Sequence, residues 1–200
     1  MNRLQELKKG RAILVTGTPG TGKTTVSRLL AKAVHAKHVN PEILLPRKGI
    51  DYTYDESRKT RIVSIRRLRS SLASLAGRTD RGLIIDSHIA FKITSSPRLE
   101  RVIVLRCNPA VLEPRLKRKH WSKRKISENV LAEILDICLW NAVQNYGWRR
   151  ISEIDTTDKR PSRVLQLAIR ALKERKVRKQ PKARWLSSLK HQRLLTHYLV

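Results

Sequence analysis

Residues 11 to 30 read Arg-Ala-Ile-Leu-Val-Thr-Gly-Thr-Pro-Gly-Thr-Gly-Lys-Thr-Thr-Val-Ser-Arg-Leu-Leu, and the reading of this stretch decides the fold. An apolar run from Ala12 to Val15 enters Gly17-Thr-Pro-Gly-Thr-Gly-Lys-Thr24, and a periodic stretch through Val26, Leu29, Leu30 and Ala33 leaves it. The order is strand, phosphate loop, helix. The spacing fits G-x-x-x-x-G-K-[ST], in which glycines let successive backbone N–H groups converge on phosphate oxygens while the helix N-terminus adds its dipole. Lys23 is then expected to bridge the terminal phosphates of a nucleoside triphosphate, and the Thr24 hydroxyl to hold Mg²⁺. An ordinary Gly-rich turn would not need the Lys-Thr pair.

Downstream, Gly82-Leu-Ile-Ile-Asp86 and Arg101-Val-Ile-Val-Leu-Arg106 are apolar runs as long as buried parallel strands, and Ile151-Ser-Glu-Ile-Asp155 is a weaker one. Lys37-His-Val-Asn40 reads as a short strand or turn before Pro41. Helical patterns are expected at 62–75 with an end at Gly77, and at 109–119, 127–144 and 162–179, with the first helix reaching about Ala36. Strands alternating with helices predict an α/β fold with a parallel sheet flanked by helices. Ligand then sits at the carboxyl ends of the strands, where the loop and Asp86 both fall.

Asp86 closes its strand where a carboxylate can hold the Mg²⁺ water shell, or can simply cap the next turn. His88 shares its face, two residues on. Beside a phosphate loop this imidazole either positions an attacking water, senses the γ-phosphate or is structural. Arg115-Leu-Lys-Arg-Lys-His-Trp-Ser-Lys-Arg-Lys125 is a cationic run that either closes over a triphosphate or forms a charged surface. Asp155-Thr-Thr-Asp-Lys159 is a strand-end loop within reach of an adenine edge. Residues 40–63, with Pro41, Pro46, Gly49 and a polar run from Asp51 to Lys59, read as an excursion from the core.

Charge bounds the partners. The 200 residues carry 44 Lys and Arg against 16 Asp and Glu, a net +28 and a pI near 11.3. Self-repulsion on that scale disfavours an isolated compact chain, so a polyanion, with nucleic acid first, is the expected partner. From Val177 onward Arg178, Lys179, Lys182, Arg184, Lys190 and Arg193 are interspersed with Trp185 and Tyr198. This basic tail, 177–200, is expected to lie outside the domain at 1–176, either solvated or binding RNA by stacking and phosphate contacts. Cys107 and Cys138, with no metal-ligand spacing, read as buried small hydrophobes. With no apolar run near the roughly 20 residues of a membrane span, and a charged start, an intracellular protein with no membrane partner is expected, cytoplasmic or nuclear.

Taken in order, Gly17-Thr-Pro-Gly-Thr-Gly-Lys-Thr-Thr25, Tyr54-Asp-Glu-Ser57, Ile84-Ile-Asp-Ser-His88, Val104-Leu-Arg106, Val111-Leu with Arg115-Leu116, and Ser127-Glu-Asn-Val130 resemble the adenylate kinase isoenzyme 6 family. The likeness covers about residues 11 to 172. It implies a P-loop nucleoside-monophosphate kinase fold with a monophosphate-binding excursion at about 40–63 and a short lid at about 118–128. It also implies transfer of a phosphoryl group from ATP to AMP, ATP hydrolysis, and a role in small-subunit ribosome assembly with small-subunit rRNA and universal small-subunit protein eleven. By position, Gly20, Gly22, Lys23, Thr24 and Thr25 would bind ATP phosphates and Asp86 would support Mg²⁺. His88 matches the signature histidine, Lys119 the lid Arg that contacts ATP, and Lys159 a base-contacting loop residue. Two departures stand out. Lys119-His-Trp121 replaces Arg-Gly-Tyr, and Lys lacks the planar fork of Arg; Asn40-Pro-Glu-Ile-Leu-Leu-Pro46 replaces the usual Gly-Asp-Leu-Ala start of the AMP-binding helix. An assembly factor switched by ATP, and a P-loop kinase of another acceptor such as a small metabolite or a 5′-hydroxyl RNA end, remain as alternatives.

Overall fold

The computed structural model describes residues 6–41, 53–55, 60–62, 65–88, 97–173 and 181–191. At its centre β1 (Arg11–Gly17) lies between β5 (Leu83–Asp86) and β6 (Arg98–Arg106), with β2 (Lys37–Val39) and β7 (Ile151–Asp155) outside them. Every pairing in this five-stranded sheet, ordered β2-β5-β1-β6-β7, is parallel. Leu14 stands opposite Ile85 and Val102, and Val15 opposite Asp86, so the strand register alone delivers Asp86 to the level of the phosphate loop.

Alternation along β1 explains the layers, because successive side chains point to opposite faces. Ala12 and Leu14, with Leu83, Ile85, Val102 and Val104, pack on Leu68, Leu72 and Ala76 of α2 (Ile65–Arg78) and on Leu139 and Ala142 of α5 (Ile137–Tyr146). Ile13 and Val15, with Ile84, Ile103 and Leu105, pack on Val26 and Leu30 of α1 (Lys23–Ala33) and on Val164 and Ala168 of α6 (Pro161–Lys173). The expected doubly covered parallel sheet is what forms. A third cluster, Cys107, Leu112, Leu116, Ile126, Val130 and Ile134, joins α3 (Pro109–Lys117) to α4 (Lys123–Ile134) beyond the strand ends.

Several boundaries differ from the sequence reading. The helix expected over 127–144 is two, α4 and α5, broken where Asp136 takes a left-handed φ of 58°. Its start lies earlier than residue 127 too, at the Ser122 cap, whose Oγ accepts from Lys125 N at 3.3 Å. The first helix ends at Ala33, where His35 turns through φ 50°, and α2 runs past Gly77 to Arg78. Ile62 belongs to a hairpin strand instead of that helix: β3 (Thr53–Asp55) and β4 (Thr60–Ile62) pair antiparallel within the expected excursion, most of which lies outside the described residues. The tail also departs from expectation. Pro181 onward includes α7 (Trp185–His191), with Ala183 buried and Trp185 packed on the third cluster.

Candidate functional site

The loop between β1 and α1 takes its shape from its glycines. A Cβ on Gly17, at φ 141°, would stand 2.3 Å from the Leu105 carbonyl oxygen, so β6 can approach the strand end only if this residue has no side chain. Gly22, the N-cap of α1, has φ 93° and open space where a Cβ would be, as a loop that turns its N–H groups outward requires. Inside the loop the Thr18 carbonyl accepts from Thr21 N at 3.2 Å, from Thr21 Oγ1 at 2.8 Å and from Lys23 Nζ at 3.2 Å. The lysine ammonium is thereby held at the mouth of the loop.

Asp86 lies opposite, 1% exposed, at the carboxyl end of β5. Burial raises its pKa, but the neighbouring His38, the Thr24 hydroxyl and the Lys23 charge outweigh burial and hold the carboxyl below its ordinary value. His38 Nε2 stands 3.5 Å from Asp86 Oδ2, an ion-pair separation, and that carboxylate oxygen is buried with no hydrogen-bond partner. A buried carboxylate oxygen that faces His38 but receives no hydrogen bond, beside the Thr24 hydroxyl, suits a hard cation. Among the described residues no group of three His, Cys, Asp or Glu could hold a metal. Mg²⁺ keeps most of its shell as water and phosphate oxygens and takes one or two protein ligands. Thr24 and Asp86 are the residues that would hold it.

These side chains open on a cleft of about 1220 Å³. Gly20, Gly22, Lys23, Thr24 and Thr25 form one wall, and Asp86 and His88 the floor. The roof is the turn from α3 to α4 with Lys119, Trp121, Arg124 and Lys125. Residues of the stretch 118–128 thus share the cleft with the phosphate loop. His120, standing where the resembled family has Gly, takes φ 54°, a backbone state that glycine adopts without strain. Lys119 and Lys125 lie 5.2 and 4.4 Å from the Trp121 ring centre, which fixes both ammonium groups on the roof. Lys159 is not part of this lining; its Nζ lies 3.5 Å from Asp155 Oδ2 and donates to Thr157 O at 3.3 Å beyond β7.

Sequence reasoning missed a buried polar cluster under the loop. Arg106, 1% exposed, donates through Nε to Glu133 Oε1 at 2.7 Å and through Nη1 to Glu153 Oε1 at 2.9 Å, and it also pairs with Asp136. Thr18 Oγ1 donates to Glu133 Oε2 at 2.5 Å. The legible signal was Glu133 itself, an acid on the apolar stripe of Ile126, Val130 and Ile134. A buried acid on such a stripe demands a partner.

Fold and site together define a protein of the P-loop kinase fold, with its phosphate site at the carboxyl ends of a parallel sheet. A family model described as "AAA domain" matches residues 13–136. A protein of Natronomonas pharaonis described as "Putative adenylate kinase" is 38% identical over 154 residues, spanning 77% of this chain and 85% of the relative. A protein of Methanocaldococcus jannaschii with the same description is 30% identical over 167 residues, spanning 84% of this chain and 89% of the relative. The chain belongs to the family of these archaeal proteins, the isoenzyme 6 type that its motif order resembles. Among solved structures, a gluconokinase from Sinorhizobium meliloti superposes with a TM-score of 0.53 at 15% identity, covering 92% of this chain and 98% of that one. A shikimate kinase from Aquifex aeolicus gives 0.51 at 14% identity, covering 81% and 96%. These two likenesses are of fold. No helix among the described residues is long and apolar enough to cross a membrane.

Proposed function

We propose that the chain is an adenylate kinase that transfers the γ-phosphoryl group of ATP to AMP, also hydrolyses ATP, and works in small-subunit ribosome assembly. The observation that carries the kinase reading is the convergence of Lys23, Thr24 and the buried Asp86 oxygen under a cationic roof. The family membership supports it. An AMP phosphate oxygen forms the bond to the γ-phosphorus as the bond to the β,γ-bridging oxygen breaks, giving two ADP. The loop N–H groups and Lys23 orient the triphosphate and meet the charge that develops on it. Lys119, Arg124 and Lys125 close over the leaving phosphates and exclude water, Lys119 as a point charge instead of a fork. Mg²⁺, held by Thr24 and Asp86, supplies neutralisation of the phosphate oxygens when bound. His88, exposed at the floor, is placed to orient a water for the hydrolytic reaction.

A coupled assay with purified protein tests this. AMP-dependent formation of ADP supports the kinase; ATP consumption indifferent to AMP sinks it. Extending the acceptors to other monophosphates and to 5′-hydroxyl RNA separates AMP from its competitors.

A second reading is favoured by the +28 charge: ATP binding and hydrolysis switch a surface for small-subunit rRNA and universal small-subunit protein eleven, with little AMP kinase activity. The two readings share one site and are compatible.

A further inference from the structure

The phosphate loop is tied to the C-terminal segment by hydrogen bonds that phosphoryl transfer does not use. Glu133, 1% exposed, receives Thr18 Oγ1 on Oε2 at 2.5 Å. Its other oxygen receives Arg106 Nε at 2.7 Å, Cys107 N at 3.0 Å and the Trp185 indole Nε1 at 3.1 Å. Thr18 in turn offers its carbonyl to Lys23 Nζ. One carboxylate therefore connects the indole of Trp185 to the residue that holds the loop lysine.

The charges show why the segment docks there. A single guanidinium, Arg106, faces three carboxylates, those of Glu133, Asp136 and Glu153. The acceptor capacity it leaves over is met from the segment: Lys182 N and Ala183 N both donate to Glu153, Ala183 N at 3.0 Å, and Trp185 Nε1 donates to Glu133. Arg106 also lies 6.0 Å from the Trp185 ring centre. Hydrogen bonds to ionised acceptors in a dry site are strong. Yet α7 is only seven residues long and leaves Leu186 49% exposed, so the described part of the segment is held by these few bonds together with the packing of Ala183 and the Trp185 ring. An element of that kind opens locally at far lower cost than the core.

We propose that the segment around Trp185 is a latch on the nucleotide site, with Glu133 the positioning residue that transmits its docking to Thr18 and the phosphate loop. The inference rests on the loop being a nucleotide site. Nucleotide that fixes the loop favours the docked latch, and the docked latch favours nucleotide by the same factor, since coupling is reciprocal.

Hydrogen exchange on the full chain tests it, read at the Lys182 and Ala183 amides and the Trp185 indole with and without saturating Mg·ADP. Protection should rise about fivefold on binding, the lower end of ordinary coupling. Thr18→Val keeps the shape of the side chain and removes the donor to Glu133; read at ADP raised to saturate the variant, it should lose the added protection, and Thr18→Ser should restore it. In reverse, Trp185→Phe should weaken ADP about fivefold, and the Thr18→Val, Trp185→Phe double variant should lose no more than the worse single one. Unchanged exchange in a wild-type sample saturated with ADP overturns the latch, as do additive losses in the double variant. Failure of the wild type to bind ADP at all overturns the nucleotide site and the latch with it. The wild-type exchange decides the matter even if Trp185→Phe does not fold.

Discussion

Lys23 is half-buried at the cleft, whereas Cys107 is shut away from solvent altogether. Lys23 stands at the cleft, and its replacement by Ala should cut ATP-dependent turnover about a hundredfold or more, the scale on which one preorganised donor acts. Steady-state assays check this, and unchanged turnover would contradict the phosphate-loop assignment. For His88→Ala, hydrolysis should fall more than nucleotide affinity; weaker binding with normal turnover would make the imidazole structural. Cys107 is fully buried, and burial pushes its thiol up to about 11. Three pH units below that, at pH 8, about one thiol in a thousand is thiolate, rising tenfold per unit of pH. Burial raises the Cys138 thiol too. Cys107 should not label rapidly with a thiol reagent at pH 8 until denaturant is added, whereas Cys138, half-buried at the cleft, lacks that steric protection. Individual loop residues were legible because the motif fixes their spacing, and Asp86 because it ends an apolar strand. Thr18 was not, since its role is defined by Glu133, far away in sequence and brought near only by the fold.

At the scale of elements, α4 joins two tasks that the sequence keeps apart. It starts at the Ser122 cap, within the stretch 118–128 over the cleft, and ends where Glu133 and Asp136 surround Arg106. The break at Asp136 was invisible to periodicity because apolar residues continue through Ile137 and Leu139; at the break Asp136 takes its left-handed φ with its carboxylate paired to Arg106. Burial lowers the Arg106 pKa, but the charges of Glu133 and Asp136 more than reverse this, so the guanidinium stays ionised. Arg106→Met would leave its carboxylates without their cation and should destabilise the fold by about 3–5 kcal/mol, measured by urea unfolding. A loss below about 1 kcal/mol would show the pairs to be dispensable. The strands were the easier elements to read, since a run such as Val102 to Leu105, buried on both faces, has no other home in a water-facing chain.

For the molecule as a whole, the +28 charge points beyond the cleft. If the chain binds single-stranded rRNA as proposed, the affinity should weaken steeply with salt, log K falling with a slope of about −0.7 per neutralised phosphate. The basic tail was readable from composition, but its docking was not, because only the folded arrangement of Glu133 and Glu153 gives it a seat. Removing 177–200 would therefore disturb the fold along with the charge. Lys182→Gln with Arg184→Gln is the cleaner probe, since both side chains are exposed. If these residues meet RNA, the slope should become shallower by about 0.7 for each; an unchanged slope would place the contacts elsewhere. The sheet order has a different consequence, in the making of the chain. The central strand is the first synthesised, yet Leu14 cannot pair until Ile85 and Val102 have followed it. At translation rates of about 5–20 residues per second the wait is on the order of ten seconds. Ala12 to Val15 spend it unpaired, as an apolar stretch open to association with other chains until its neighbours arrive.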